Sequence, residues 1–77
     1  MDTISDRLRK ARLRKVWTQD DLAKASGVQV VTISRIENGK VAGRPRQSTV
    51  RKLAQALEVD ASWLLLGRSE LPGRDEI

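Results

Sequence analysis

Apolar positions recur along this chain at helical rather than strand spacing. Ile4, Leu8 and Ala11 make one stripe, and Val50, Leu53, Ala54 and Leu57 follow the i, i+3, i+4, i+7 rule. Capping residues divide the pattern into five short helices. The first runs from about Ile4 to Lys15, behind Thr3 as N-cap and with Asp6 in its first turn. The second begins after Thr18, where Asp21 completes a capping box with Asp in place of Glu. It ends near Ser26, because Gly27 takes a left-handed conformation at little cost. The third covers about Val30 to Asn38 with Gln29 at its cap, and the fourth about Ser48 to Glu58. The fifth, Ala61 to Leu66, lies between Asp60 as cap and Gly67 as stop.

The stretch Val28-Gln29-Val30-Val31-Thr32-Ile33 is rich in β-branched residues and on propensity alone suits a strand. Hydrophobic staples decide for a helix. A staple pairs the residue before an N-cap with the fourth helical residue. Trp17 and Leu22, Val28 and Ile33, and Val59 and Leu64 all satisfy that register. Residues 41–47 form a loop, since Gly43 and Pro45 break any helix and Arg44 and Arg46 keep the segment solvated. Residues 1–67 are expected to form one domain, and residues 68–77, with Pro72-Gly73 and mixed charge, a tail that frays.

Composition narrows the classes. At 77 residues the core is thin, and with no cysteine and no histidine neither a disulfide framework nor a common zinc site can supplement it. No apolar run approaches the roughly 20 residues of a membrane helix, and the N-terminus lacks a secretory signal. A soluble, cytoplasmic protein without membrane contact is expected. The net charge of +5 points to a polyanion, and its distribution says more than its size. Arg35, Lys40, Arg44, Arg46, Arg51 and Lys52 fall in one segment whose sole acid is Glu37. No side-chain set suits catalysis: serines have no positioned base, so no enzyme, cofactor or metal is expected.

Helices two and three are joined only by Ser26-Gly27-Val28-Gln29, and two short helices on so tight a turn make a helix-turn-helix, whose second helix enters the major groove. The block T-Q-D-D-L-A-K-A-S-G-V…T-I-S-R-I-E-N-G-K at 18–40 resembles the lambda-repressor-like (Cro/repressor, XRE-type) DNA-binding domains. I-S-D-R-L-R-K-A-R at 4–12 is similar to their first helix, R-P-R at 44–46 to phage repressor loops, and V-D-A-S-W-L-L-L-G at 59–67 to their closing helix. The resemblance implies an all-α, five-helix repressor-like fold and a bacterial or phage-encoded regulator working at the nucleoid. Two departures stand out. The family usually has glycine where Val16 stands, and the loop after Lys40 is longer than usual. Left-handed backbone costs a non-glycine residue roughly 1–2 kcal/mol, so Val16 is expected to avoid it.

On helix three, Ile33 and Ile36 face the core, which leaves Val30, Val31, Ser34, Arg35 and Asn38 outside. Val30 and Val31 either pack on protein or meet thymine methyls in the major groove. Gln29 either caps the helix or pairs with adenine or a phosphate, and Arg35 suits guanine or a phosphate. With Ser34 these are the candidate base contacts. Asn38 and Lys40 are candidate backbone contacts. By resemblance, Gln19 touches the backbone at the start of helix two, and Arg44 and Arg46 follow it near the minor groove. Arg12 follows Ile4 and Leu8 toward the core and needs a partner, for which Glu37 is the candidate. The resemblance implies that the two form a buried ion pair.

One such unit reads few base pairs, so a two-fold DNA operator bound by a homodimer is expected. Leu65 or Leu66, with Leu71, is the candidate dimer patch, and no separate sensor or cleavage domain is expected in these residues. A reading from another class is an antitoxin or accessory module whose helices grip a protein partner.

Overall fold

The computed structural model describes residues 3–41 and 44–67. Among them lie five helices and no strand: α1 (Ile4–Arg14), α2 (Gln19–Ser26), α3 (Val30–Glu37), α4 (Gln47–Leu57) and α5 (Ala61–Leu66). The Val30-Val31 segment is helical. Ends differ from the sequence-based spans by one residue, as fraying termini usually do. The expected tail, its Leu71, and loop residues Ala42 and Gly43 lie outside the described residues. No described helix is long and apolar enough to cross a membrane.

Caps start the helices as their chemistry dictates. The Thr3 hydroxyl accepts from Asp6 N, and Thr18 and Asp21 exchange bonds of 2.9 and 3.0 Å in a complete capping box. Thr18's backbone N–H and hydroxyl hold the Asp21 carboxyl below the usual carboxylate range. Each good cap contributes about 1 kcal/mol. Gln29 and Arg46 sit at N-caps without any side-chain cap bond, so both side chains remain available for other work.

The core is one cluster. Leu8 from α1, Leu22 from α2, Ile33 and Ile36 from α3, Leu53 and Leu57 from α4 and Leu64 from α5 are all buried. Each such side chain contributes about 1.5–3 kcal/mol on leaving water. Both members of each staple pair lie in or against this cluster. α1 packs on α3 and α5, α2 on α3 and α4, and α4 on α5. The α2–α3 pair is thereby held from both sides.

Val16 corrects an expectation. It occupies the left-handed region at φ 58°. Two hydrogen bonds demand it: Trp17 N donates to Arg12 O at 3.3 Å and Val16 N to Leu13 O at 2.9 Å, the paired closure of a Schellman turn. Trp17 must turn back onto the core, and only a left-handed residue at this position returns the chain so sharply. Its side chain gains nothing from burial there, being 87% exposed. The end of α4 repeats the device with Glu58 at φ 61°, Val59 N donating to Ala54 O and Glu58 N to Gln55 O.

Candidate nucleic-acid interface

α3 is divided by face. Ile33, Ile36 and Glu37 are buried, whereas Gln29, Val30, Val31 and Arg35 are exposed and Ser34 is half-buried. Val30 and Val31 are 43% and 50% exposed. Neither belongs to the buried core cluster, and together these two valines make an apolar step on the exposed face of α3. Asn38 ends the helix, exposed, with its amide donating to Ser34 Oγ at 3.2 Å.

Beyond the C-terminal end of α3 the surface becomes concave. A groove of about 640 Å³ runs between α3 and the start of α4, over a floor that includes Ile36, Val41 and Pro45. Arg35, Lys40, Arg44 and Arg46 line it, and no described acid does. All four cations are exposed, and none is ion-paired among the described residues. Four like charges around one depression raise a positive field that a polyanion relieves. Arg51 and Lys52 are exposed on α4, and of the two only Arg51 reaches the neighbouring groove toward α5.

Beneath the exposed face, Glu37 ties three helices together. Arg12 Nε and Nη2 donate to its two carboxylate oxygens at 2.7 and 2.9 Å, and Gln19 Nε2 donates to Oε1 at 3.1 Å. The Glu37 side chain is 1% exposed and that of Arg12 11%. Burial alone pushes the Glu37 carboxyl up, but the Arg12 and Gln19 hydrogen bonds and the Arg12 and Arg9 charges outweigh it and hold it below the usual carboxylate range. In turn the bond to Glu37 raises Arg12 further, against its own burial. Arg12 also donates Nη1–H to Trp17 O at 2.8 Å, so the same guanidinium fixes the turn before α2. Gln19 is therefore turned inward, with one amide hydrogen engaged and the other left over.

Three supports were not apparent from pattern alone. Arg9 Nη2 donates to the terminal carbonyl of Glu37 at 2.8 Å and Ser5 Oγ to Ile36 O at 2.6 Å, both closing the end of α3 from α1. Arg7 is buried and donates to two carbonyls of α5. Its position had a signal: it falls on the apolar stripe, three residues after Ile4 and four before Ala11.

Known proteins carry the same arrangement. The helix-turn-helix (HTH_3) family model matches residues 8–64. The HTH-type transcriptional repressor RghR of Bacillus subtilis (strain 168) is 42% identical over 65 residues, 84% of this chain and 47% of that protein. The HTH-type transcriptional regulator for conjugative element R391 of Providencia rettgeri is 38% identical over 71 residues, 92% of this chain and 32% of that one. The chain thus spans less than half the length of these relatives. The P22 c2 repressor, solved in complex with a synthetic operator, superposes with a TM-score of 0.78 at 28% identity, covering 88% of this chain and all of that one. The SinR protein–SinI protein complex gives 0.76 at 27% identity, over 82% of this chain and 60% of the matched one. With one turn joining α2 to α3 and the family model matching most of the sequence, the chain belongs to the helix-turn-helix (HTH_3) family and has the fold of the phage-repressor DNA-binding domains.

Proposed function

We propose that this chain is a sequence-specific double-stranded-DNA-binding transcriptional regulator, repressor-like, that sets α3 in the major groove of each half of a palindromic operator. The observation that carries the reading is continuity: the exposed Val30–Val31–Arg35 face of α3 leads directly into the groove of four unpaired cations. An apolar step beside positive charge suits thymine methyls flanked by phosphates. In this reading Gln29, Val30, Val31, Ser34 and Arg35 meet base edges. Asn38, Lys40, Arg44 and Arg46 hold the backbone, with the second amide hydrogen of Gln19 and the N-terminus of α2 on one phosphate. Glu37, bonded to Arg12 of α1 and Gln19 of α2, ties α3 to both helices and so holds the ends that reach DNA. The relatives named as transcriptional repressors and regulators, and the operator complex of the P22 c2 repressor, support it.

Half-site length calls for a homodimer on DNA. The leucine-rich end supplies a surface: Leu66 is 38% exposed beside a groove of about 280 Å³ over Val50, Ala61 and Leu65. The proposed setting is the cytoplasm of a bacterium, on its chromosome or a resident phage or mobile element. The rival reading, an antitoxin or accessory module, rests on the same exposed valines facing a protein. Selection from random-sequence duplexes separates the two. The regulator reading expects a two-fold symmetric site with thymine enriched opposite Val30 and Val31. Failure to enrich any sequence would overturn it in favour of a protein partner.

A further inference from the structure

Val30, Ser34 and Asn38 stand four residues apart and make one row along the exposed face of α3. The end of that row is held firmly. Asn38 N donates to Ser34 O at 2.9 Å, Gly39 N to Ile36 O at 3.1 Å and Lys40 N to Arg35 O at 2.9 Å. From α1, Ser5 Oγ and Arg9 Nη2 donate to the carbonyls of Ile36 and Glu37. With its backbone fixed in this way, Asn38 turns its amide back by one turn, and Nδ2 donates to Ser34 Oγ at 3.2 Å. The negative end of the α3 dipole favours the NH2 half of the amide on this side over its oxygen.

That bond gives the Ser34 hydroxyl a direction. A serine oxygen carries one hydrogen and two lone pairs. Within a helix the hydrogen can go to the carbonyl four residues back, but Ser34 makes no such bond among the described residues. Its oxygen accepts from Asn38, and its hydrogen has no acceptor in the described protein. A hydroxyl that already accepts one bond donates the next more strongly and accepts a second less readily. In the major groove guanine, adenine and thymine each offer an acceptor, whereas cytosine offers only its N4 donor. We infer that Asn38 is a positioning residue for sequence reading: it holds Ser34 as a hydrogen-bond donor, and Ser34 thereby disfavours cytosine at the base it faces. The inference rests on the DNA-binding reading above. It is compatible with a phosphate contact by Asn38, whose second amide hydrogen and oxygen have no partner among the described residues.

The test is selection from random-sequence duplexes with the full chain and with Ser34→Ala, Asn38→Ala and Asn38→Asp. Competition then follows between operator duplexes that differ only at the base Ser34 faces, identified as the position whose preference Ser34→Ala flattens. In the parent, cytosine there is expected to bind about fivefold more weakly than the best base, the effect of one ordinary hydrogen bond. Asn38→Ala frees the hydroxyl to turn and should cut that discrimination to about twofold. Asn38→Asp puts a carboxylate oxygen where Nδ2 stood, takes up the Ser34 hydrogen and leaves only lone pairs facing the groove. Preference then moves toward bases with a donor, cytosine above all. These are ratios between duplexes, so any general loss from the new negative charge cancels. If Asn38→Asp does not fold or bind, the Asn38→Ala ratios decide. A purely structural role for Asn38 would weaken every duplex alike with the ratios unchanged, and that result overturns the proposal. So does a parent that accepts cytosine at the Ser34 position. If Ser34→Ala flattens no position while the parent still enriches a sequence, the proposal falls and the DNA-binding reading stands. A parent that enriches no sequence removes that reading, and the proposal with it.

Discussion

Replacing Glu37 with alanine removes the acceptor for two side chains at once. Arg12 loses both short bonds, of 2.7 and 2.9 Å, and Gln19 loses its 3.1 Å bond. Arg12, only 11% exposed, is left with its bond to Trp17 O and no counter-charge. Deleting one member of a buried pair costs about 3–5 kcal/mol, mostly because the survivor stays buried and unpaired. A domain of this length is stable by about 4–12 kcal/mol, so the variant gives up a large share of that. At about 4–8 °C per kcal/mol for domains of this size, its melting temperature falls by at least about 12 °C. Thermal unfolding followed by far-ultraviolet circular dichroism measures this. Arg12→Met with Glu37→Leu should recover much of the loss, because an apolar pair removes both charges together. A Glu37→Ala drop of only a few degrees, or a double variant no better than the single, would refute the reasoning.

Acid titrates the same contact. The folded Glu37 carboxyl lies below its unfolded value, so its contribution is present at neutral pH and lost as pH falls through the folded value, below the ordinary carboxylate range. Glu37→Gln should flatten that limb of a melting-temperature–pH profile, while Asp21, also lowered, keeps part of the slope. Val16→Gly relieves left-handed strain at an 87% exposed position, less the entropy glycine adds to the unfolded chain; a net gain of about 0.5–1 kcal/mol is expected in urea unfolding. On DNA, Arg35→Ala should relax preference at one base position, by about 1–3 kcal/mol of discrimination. Arg44→Ala should weaken all sequences alike and shallow the salt dependence by about two units, one for each copy on the operator.

The helices were legible because their signals are local. Thr3, Thr18 and Asp60 announce starts through their own side chains, and staple pairs such as Val28 with Ile33 need only the right spacing to be recognised. Even the strand-like Val30–Val31 segment resolved as helix on that ground. Spacing pointed the Arg12 charge inward, where it must find a partner, and the family resemblance singled out Glu37 from the candidates. What stayed hidden depends on where the chain goes next. Val16 was expected to avoid left-handed backbone on its own preference, but the return of Trp17 to the core overrides that preference. Arg7 and Arg9 bond to backbone carbonyls of other helices, and a carbonyl carries no mark in the sequence. Gln19 was read from its place at a helix start, whereas its amide answers to Glu37, distant in sequence.

Salt titration of binding to a selected operator duplex tests the central claim most directly. Lys40, Arg44 and Arg46 from each of two copies release six counterions, which predicts a log–log slope of about −5 between low and physiological salt. Absence of saturable binding to any duplex even at low salt, or a slope near zero, would contradict the account and leave the Val30–Val31 face to a protein partner.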